Sequence, residues 1–215
     1  MKPRTILLIL AIAGIVFSCI PSLYPLYRDK DLLLDERLEG RYDAEDEDYW
    51  EFRHLDKETA RGLGGDWRFF QSGYTYKLSV MENGVMEDFA AHLLKLGDDF
   101  YLDFFPVNYT IEPDMLEMSL APSHIFAKAE LNKEFLVLHF FQLDWLNDLI
   151  EKERIKISYL ALDDTRFLLT AKTEELQKFI LKFANDSTTF LEADTLPRIP
   201  GIRQADLSAD QSPVF

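Results

Sequence analysis

Tyr74-Thr75-Tyr76-Lys77-Leu78-Ser79-Val80-Met81-Glu82-Asn83-Gly84 opens the stretch that decides the fold, which runs on to Phe105. Tyr74, Tyr76, Leu78 and Val80 alternate with Thr75, Lys77 and Ser79, the period-2 pattern of a half-buried strand. Asn83-Gly84 is the strongest two-residue hairpin signal, because both central residues of a type I′ turn need positive φ. With that turn at the centre, Val80 opposes Glu87, Leu78 opposes Phe89, Tyr76 opposes Ala91 and Tyr74 opposes Leu93. A second turn at Gly97-Asp98 sets Leu102 opposite Leu93 and Phe104 opposite Ala91. The two registers are derived separately, yet both put their apolar residues on one face, which a one-residue slip would destroy. The expectation is a three-stranded antiparallel meander.

The opposite face of that meander aligns Thr75, His92 and Asp103 across three strands, flanked by Ala90, Leu94, Tyr101 and Phe105. A hydroxyl, an imidazole and a carboxylate in a row admit a nucleophile, base and orienter. They equally admit a cross-strand hydrogen-bond ladder, which is the preferred reading because no G-x-S-x-G elbow exposes Thr75. No catalytic residue is assigned. If this face lines a cavity, Thr75, His92, Tyr101 and Asp103 anchor a ligand, and His92→Ala or Asp103→Ala weakens it without unfolding the domain.

Further along, Ile125, Ala127, Ala129 and Leu131 alternate with Lys128 and Glu130. An Asn132-Lys133 turn would set Leu136, Leu138 and Phe140 opposite Ala129, Ala127 and Ile125. Asp144 is placed to cap a short helix carrying Trp145, Leu146, Leu149 and Ile150 on one stripe. Strands are expected over 156–162 and 166–171, joined near Asp163-Asp164. Thr173 is placed to cap a longer helix in which Leu176, Phe179, Ile180, Phe183 and Ala184 face the sheet. The fold class is therefore mainly β (α+β), an antiparallel curved sheet or barrel with two packed helices.

Upstream, the acidic tract Asp43 to Asp48 reads as a solvated hairpin tip, since an EF-hand loop needs glycine where Asp48 stands. Arg61 to Asp66 is glycine-rich but lacks the phosphate-loop pattern, and reads as a mobile loop. The four histidines, His54, His92, His124 and His139, show no metal-ligand spacing, so neither metal nor cofactor is expected. Asp98-Asp99 and Asp163-Asp164 sit at predicted turns, where aspartate is favoured for its own backbone bonding.

The chain starts with Lys2 and Arg4 ahead of an unbroken apolar run, Ile6 to Phe17. As a helix that run spans roughly 18 Å, short of the ~30 Å hydrocarbon core, so it reads as a signal sequence. Residues 1–18 are then the leader, 19–37 a tether barred from helix by Pro21 and Pro25, 38–193 one β-rich domain and 194–215 a poorly ordered tail. Leu23, Tyr24, Leu26 and Tyr27 are too apolar for a free linker, so part of the tether should lie on the domain. Cys19 is the sole cysteine, which rules out an intrachain disulfide. The formal charge is −15, and loss of Lys2 and Arg4 leaves 21 basic against 38 acidic residues, or −17. Such a surface repels phosphate backbones, so nucleic acid is not an expected partner.

Val16-Phe17-Ser18-Cys19 resembles the lipobox of bacterial lipoproteins. That resemblance implies cleavage before Cys19, a diacylglyceryl thioether on its sulfur, and a membrane anchor. Ile20 at the following position implies the outer membrane. Leu38-Glu39-Gly40-Arg41-Tyr42 looks like the G-x-W opening of lipocalin-type barrels, with Tyr42 in place of tryptophan, which implies a barrel for a small apolar ligand. A broader match to bacterial lipoproteins that carry no assigned activity runs through Ser22-Leu23-Tyr24-Pro25-Leu26-Tyr27, Lys30-Asp31-Leu32, Ala91-His92-Leu93, Lys95-Leu96-Gly97 and Leu102-Asp103. The expected function is a lipid-anchored envelope protein binding a small apolar or amphipathic ligand. The alternative is an envelope assembly or accessory protein acting through protein contacts, and a hydrolase using Thr75, His92 and Asp103 comes last.

Overall fold

A computed structural model describes residues 19–62, 73–107, 122–163 and 166–201. The leader, the glycine-rich stretch from Leu63 to Asp66, Asp164 and the chain beyond residue 201 lie outside the described residues. Among the described residues no helix is long and apolar enough to cross a membrane.

The hairpin at Asn83-Gly84 forms as its turn chemistry dictates, with φ of 53° and 79° at the two residues. β3 (Thr75–Glu82) and β4 (Val85–Leu96) pair with Val80 opposite Glu87, Leu78 opposite Phe89 and Tyr76 opposite Ala91. β5 (Asp99–Val107) adds Leu102 opposite Leu93 and Phe104 opposite Ala91. The meander has the expected register, except that Tyr74 lies outside β3 and is exposed.

β1 (Gly40–Asp43) and β2 (Tyr49–Leu55) extend the sheet on one side. β6 (Ile125–Leu131), β7 (Phe135–Phe140) and β10 (Asp194–Pro197) extend it on the other, so that eight antiparallel strands run β1-β2-β3-β4-β5-β6-β7-β10. The β6–β7 register differs from the expected one by two residues: Ala129 faces Leu138 and Ala127 faces Phe140. The turn residues are Lys133-Glu134, with Asn132 N–H bonded to Phe135 O (3.1 Å). A shift of two preserves the face of every side chain, so the same apolar set stays inside.

The two edge strands meet. Tyr42 bridges Arg198, and Ile199 N–H donates to Arg41 O at 2.9 Å, which nearly closes the sheet into an up-and-down barrel. Arg198 latches this seam. Its Nε donates to Lys133 O (2.8 Å), its two Nη atoms donate to the Glu39 and Arg37 carbonyls and to Tyr42 Oη, and its guanidinium lies 4.7 Å from the Tyr42 ring centroid. Gly40 sits at φ +136°, where a Cβ would run into that guanidinium, so the glycine of the lipocalin-like stretch is required by close approach. The strand at Asp194–Pro197 corrects the expectation of a poorly ordered tail from residue 194. Pro197 is accommodated because β10 is an edge, and Leu196 is buried.

Three α-helices are present among the described residues. α1 (Lys57–Gly62) is a short addition after β2, while α2 (Leu143–Glu151) and α3 (Thr173–Phe183) are the two expected. Their caps differ from expectation. Gln142 and Lys172 hold the N-cap positions without side-chain caps, because Asp144 lies inside the first turn and the Thr173 hydroxyl donates instead to Pro25 O (2.8 Å). β8 (Tyr159–Ala161) and β9 (Phe167–Leu169) form a separate two-stranded hairpin, shorter than expected.

The expected tether does lie on the domain, and along more of its length than expected: residues 20–38 form a strap built into the fold. Ser22 exchanges backbone hydrogen bonds with His124, Leu23 N–H donates to Leu169 O, Leu32 bridges Leu94 and Leu33 N–H donates to Leu93 O. Ile20, Leu26, Leu32 and Leu38 are all buried. One apolar cluster, with Leu26, Leu94, Tyr101, Phe126, Leu146 and Ile180, lies between the outer face of the sheet, the strap and the helices. The second lies on the inner face of the barrel, with Tyr42, Phe52, Tyr76, Leu93, Leu102 and Leu138 among its members. β4 is apolar on both faces because both are covered.

Candidate functional site

The register brings Thr75, His92 and Asp103 into one cross-strand row, as expected. Thr75 Oγ1 lies 3.0 Å from His92 Nε2. The carboxylate of Asp103 is directed elsewhere: Oδ2 accepts from Leu26 N–H (2.7 Å) and Oδ1 lies 2.7 Å from His124 Nδ1. It therefore does not orient His92, and no Thr-His-Asp relay is assembled. Tyr27 stacks on the His92 imidazole with centroids 4.3 Å apart. Thr75, His92, Tyr101 and Asp103 are each no more than 1% exposed.

This row is a buried fastening for the strap. Gln177 of α3 extends it, its Nε2 donating to Leu26 O and to Asp31 Oδ2, both at 2.8 Å. Burial pushes His92 down to about 4, outweighing the raising effect of Asp103, so the ring is neutral near pH 7. Burial, with Asp103 second, raises the Tyr27 phenol well above its ordinary range. The four proposed ligand contacts thus line the strap and the helix layer, and the cavity lies on the other side of the sheet. Side-chain parity identified the shared face correctly but says nothing about what covers it.

That cavity, of about 1100 Å³, opens at the end of the barrel where the β1–β2 and β3–β4 turns lie. Its apolar wall comes from the inward positions of the strands: Trp50, Leu78, Val80, Phe104, Leu138 and Phe140 line it. The far end is closed by the strap. Leu38 is fully buried in the interior cluster, and Tyr76 Oη accepts from Asp35 N–H at 2.8 Å. An eight-stranded barrel is wide enough to hold one small ligand, and the volume slightly exceeds the usual range for small-molecule sites, about 300–1,000 Å³. A smaller cleft of about 490 Å³ between residues 153–157 and α3 is lined mainly by long charged side chains.

The mouth has a distinctive electrostatic character. Asp43, Glu45, Asp46, Glu47, Asp48, Glu82, Glu87 and Asp194 line it, with no lysine, arginine or histidine among the described lining residues. None of these eight enters an ion pair among the described residues, whereas Asp31, Asp35, Glu51, Asp88, Asp99 and Asp148 elsewhere all do. The acidic hairpin tip is held with Glu45, Asp46 and Glu47 all at positive φ (71°, 48° and 74°), a conformation costly for residues with a Cβ. Asp194 is half-buried, its carboxylate accepts no hydrogen bond among the described residues, and its pKa is raised, chiefly by burial and then by Glu192, against a lowering effect of His139. Cys19 also lines the mouth, and burial pushes its thiol up to about 11, with Asp194 contributing.

Sequence reasoning missed His124 and Gln177 and placed part of the tether on the domain without saying which face it covers. The apolar excess at Leu23 to Tyr27 was the available signal for the strap. Among the described residues no group of three or more His, Cys, Asp or Glu is placed to hold a metal ion. Comparison with protein-family models, with curated proteins and with solved structures finds no match, so the site is read from this chain alone.

Proposed function

We propose that this is a lipid-anchored protein of the bacterial cell envelope, on the outer membrane, whose barrel holds a small apolar or amphipathic ligand. The observation that carries the binding reading is the open, apolar-walled cavity of about 1100 Å³ in a barrel closed at its other end. The anchor rests on the leader and on Cys19, whose position at the mouth would bring the membrane lipid next to the opening. Binding, not turnover, fits a site whose aromatic and aliphatic wall presents no paired nucleophile and base.

The test is native mass spectrometry of the full chain produced with its own leader and released from the membrane. A co-purifying small molecule is expected, and it should be lost in Leu138→Trp, which fills the cavity. An apoprotein mass for the wild-type chain, or a bound mass that survives Leu138→Trp, would overturn the reading. A second reading, docking to another envelope protein, is favoured by the β8–β9 hairpin, where Tyr159, Leu160 and Leu162 are 43%, 54% and 55% exposed.

A further inference from the structure

The cavity joins two chemically different zones. Its floor and walls are apolar and aromatic, and its rim is a ring of carboxylates with no lysine, arginine or histidine among the described lining residues. Six of the eight, Asp43, Glu45, Asp46, Glu47, Glu82 and Glu87, are exposed, so water and salt screen them and they act mainly by concentrating cations near the opening. Asp48 and Asp194 are half-buried. Asp48 Oδ1 accepts from Asn83 N–H at 2.9 Å, so it is partly satisfied. The Asp194 carboxylate makes neither a hydrogen bond nor an ion pair among the described residues, His139 acting on it only electrostatically, and its residue pairs with Leu138 of the cavity wall across the β7–β10 ladder. A carboxylate left in that state where the apolar wall meets the rim is an acceptor awaiting a donor.

We infer that the cavity selects an amphiphile with a cationic head group, its hydrocarbon tail against Leu78, Val80, Leu138 and Phe140 and its ammonium against Asp194 within the acidic rim. The inference rests on the binding reading and narrows its ligand class. Anionic amphiphiles such as alkanoates are repelled at the same rim. Each buried methylene contributes the same whatever the head group, so the tail supplies affinity and the head supplies discrimination.

The test compares octylammonium, octan-1-ol and octanoate below their micellar concentrations, titrated into the full chain held in phosphatidylcholine nanodiscs. Fluorescence of Trp50, identified by its loss in Trp50→Phe, reports occupancy, and empty discs supply the background. Octylammonium should bind at least ten-fold tighter than octan-1-ol, and octanoate more weakly than either. Neutralising the mouth with Glu87→Gln and Asp194→Asn should bring octylammonium to the affinity of the alcohol. Neutralising two exposed carboxylates elsewhere, Glu151→Gln and Glu174→Gln, should leave it unchanged. Equal affinities for the amine and the alcohol, or an equal loss in the remote variant, would overturn the cationic preference while leaving the cavity reading intact. Failure of all three probes to saturate, or binding that persists in Leu138→Trp, would remove the cavity reading itself.

Discussion

At the residue scale, neighbouring buried polar groups on β5 carry opposite expectations. Asp103 accepts from Leu26 N–H and holds His124, so Asp103→Ala strands two buried polar partners at once and should cost about 2–4 kcal/mol in chemical denaturation. Tyr101 Oη is buried without a hydrogen-bond partner, so Tyr101→Phe removes an unmet polar group and should leave stability equal or higher in the same assay. His92 supplies a pH signature. Its folded pKa of about 4 lies below the unfolded value of 6.5, so between these values the unfolded chain binds the extra proton. Stability therefore falls as pH drops through that window, by up to about 3 kcal/mol. Thermal melts at pH 6.5 and 4.5 should show a drop that His92→Gln reduces, whereas carboxylates with lowered pKa, such as Asp35 beside Arg37, lose their contribution only below their unfolded value of 3.8. Asp194 behaves in the opposite sense to these carboxylates. Burial disfavours its charge, so Asp194→Asn should raise the melting temperature of the ligand-free chain while removing the preference for an ammonium, a trade of stability for function.

At the scale of elements, the seam between β1 and β10 is short and depends on one side chain. Arg198 reaches three backbone carbonyls and the Tyr42 hydroxyl with a planar fork that lysine does not reproduce. Arg198→Ala should cost about 3 kcal/mol, and Arg198→Lys should recover little of it. In hydrogen exchange, the Ile199 amide should lose protection before the β3–β5 meander does. Gly40→Ala should open the same seam, because its φ and the guanidinium both exclude a Cβ. The meander was legible because alternation and two turns fix its register redundantly. The β6–β7 turn has no such glycine signal, and its expected centre was displaced by one residue. The strap was hardly legible as structure: it pairs through isolated bridges at Ser22 and Leu32 rather than a ladder, so it carries no periodicity. The helix stripes could be read from spacing alone, whereas the caps depended on whether Pro25 would come within reach of Thr173.

At the scale of the whole molecule, the side of the sheet that holds the cavity follows from what the strap does. By covering Thr75, His92, Tyr101 and Asp103 it takes the outer face out of contention, and by turning under the barrel at Leu38 it leaves only the opposite end open. The strap begins at that open end, with Cys19 on the rim and Ile20 already buried, so no slack chain separates the proposed lipid from the barrel. On the proposed lipidation of Cys19, the mouth would be held at the bilayer surface and a ligand would pass between membrane and cavity without crossing water. Inserting about twelve Gly/Ser residues between Cys19 and Ile20 adds a flexible spacer of about 20 Å root-mean-square length and touches no described contact beyond the rim. In vesicles carrying a dansyl-labelled phospholipid, the energy transfer that disappears in Trp50→Phe should fall on this insertion, while the melting temperature stays unchanged. Undiminished transfer would mean that the rim is not held against the membrane by the short connection, and that the cavity fills from solution.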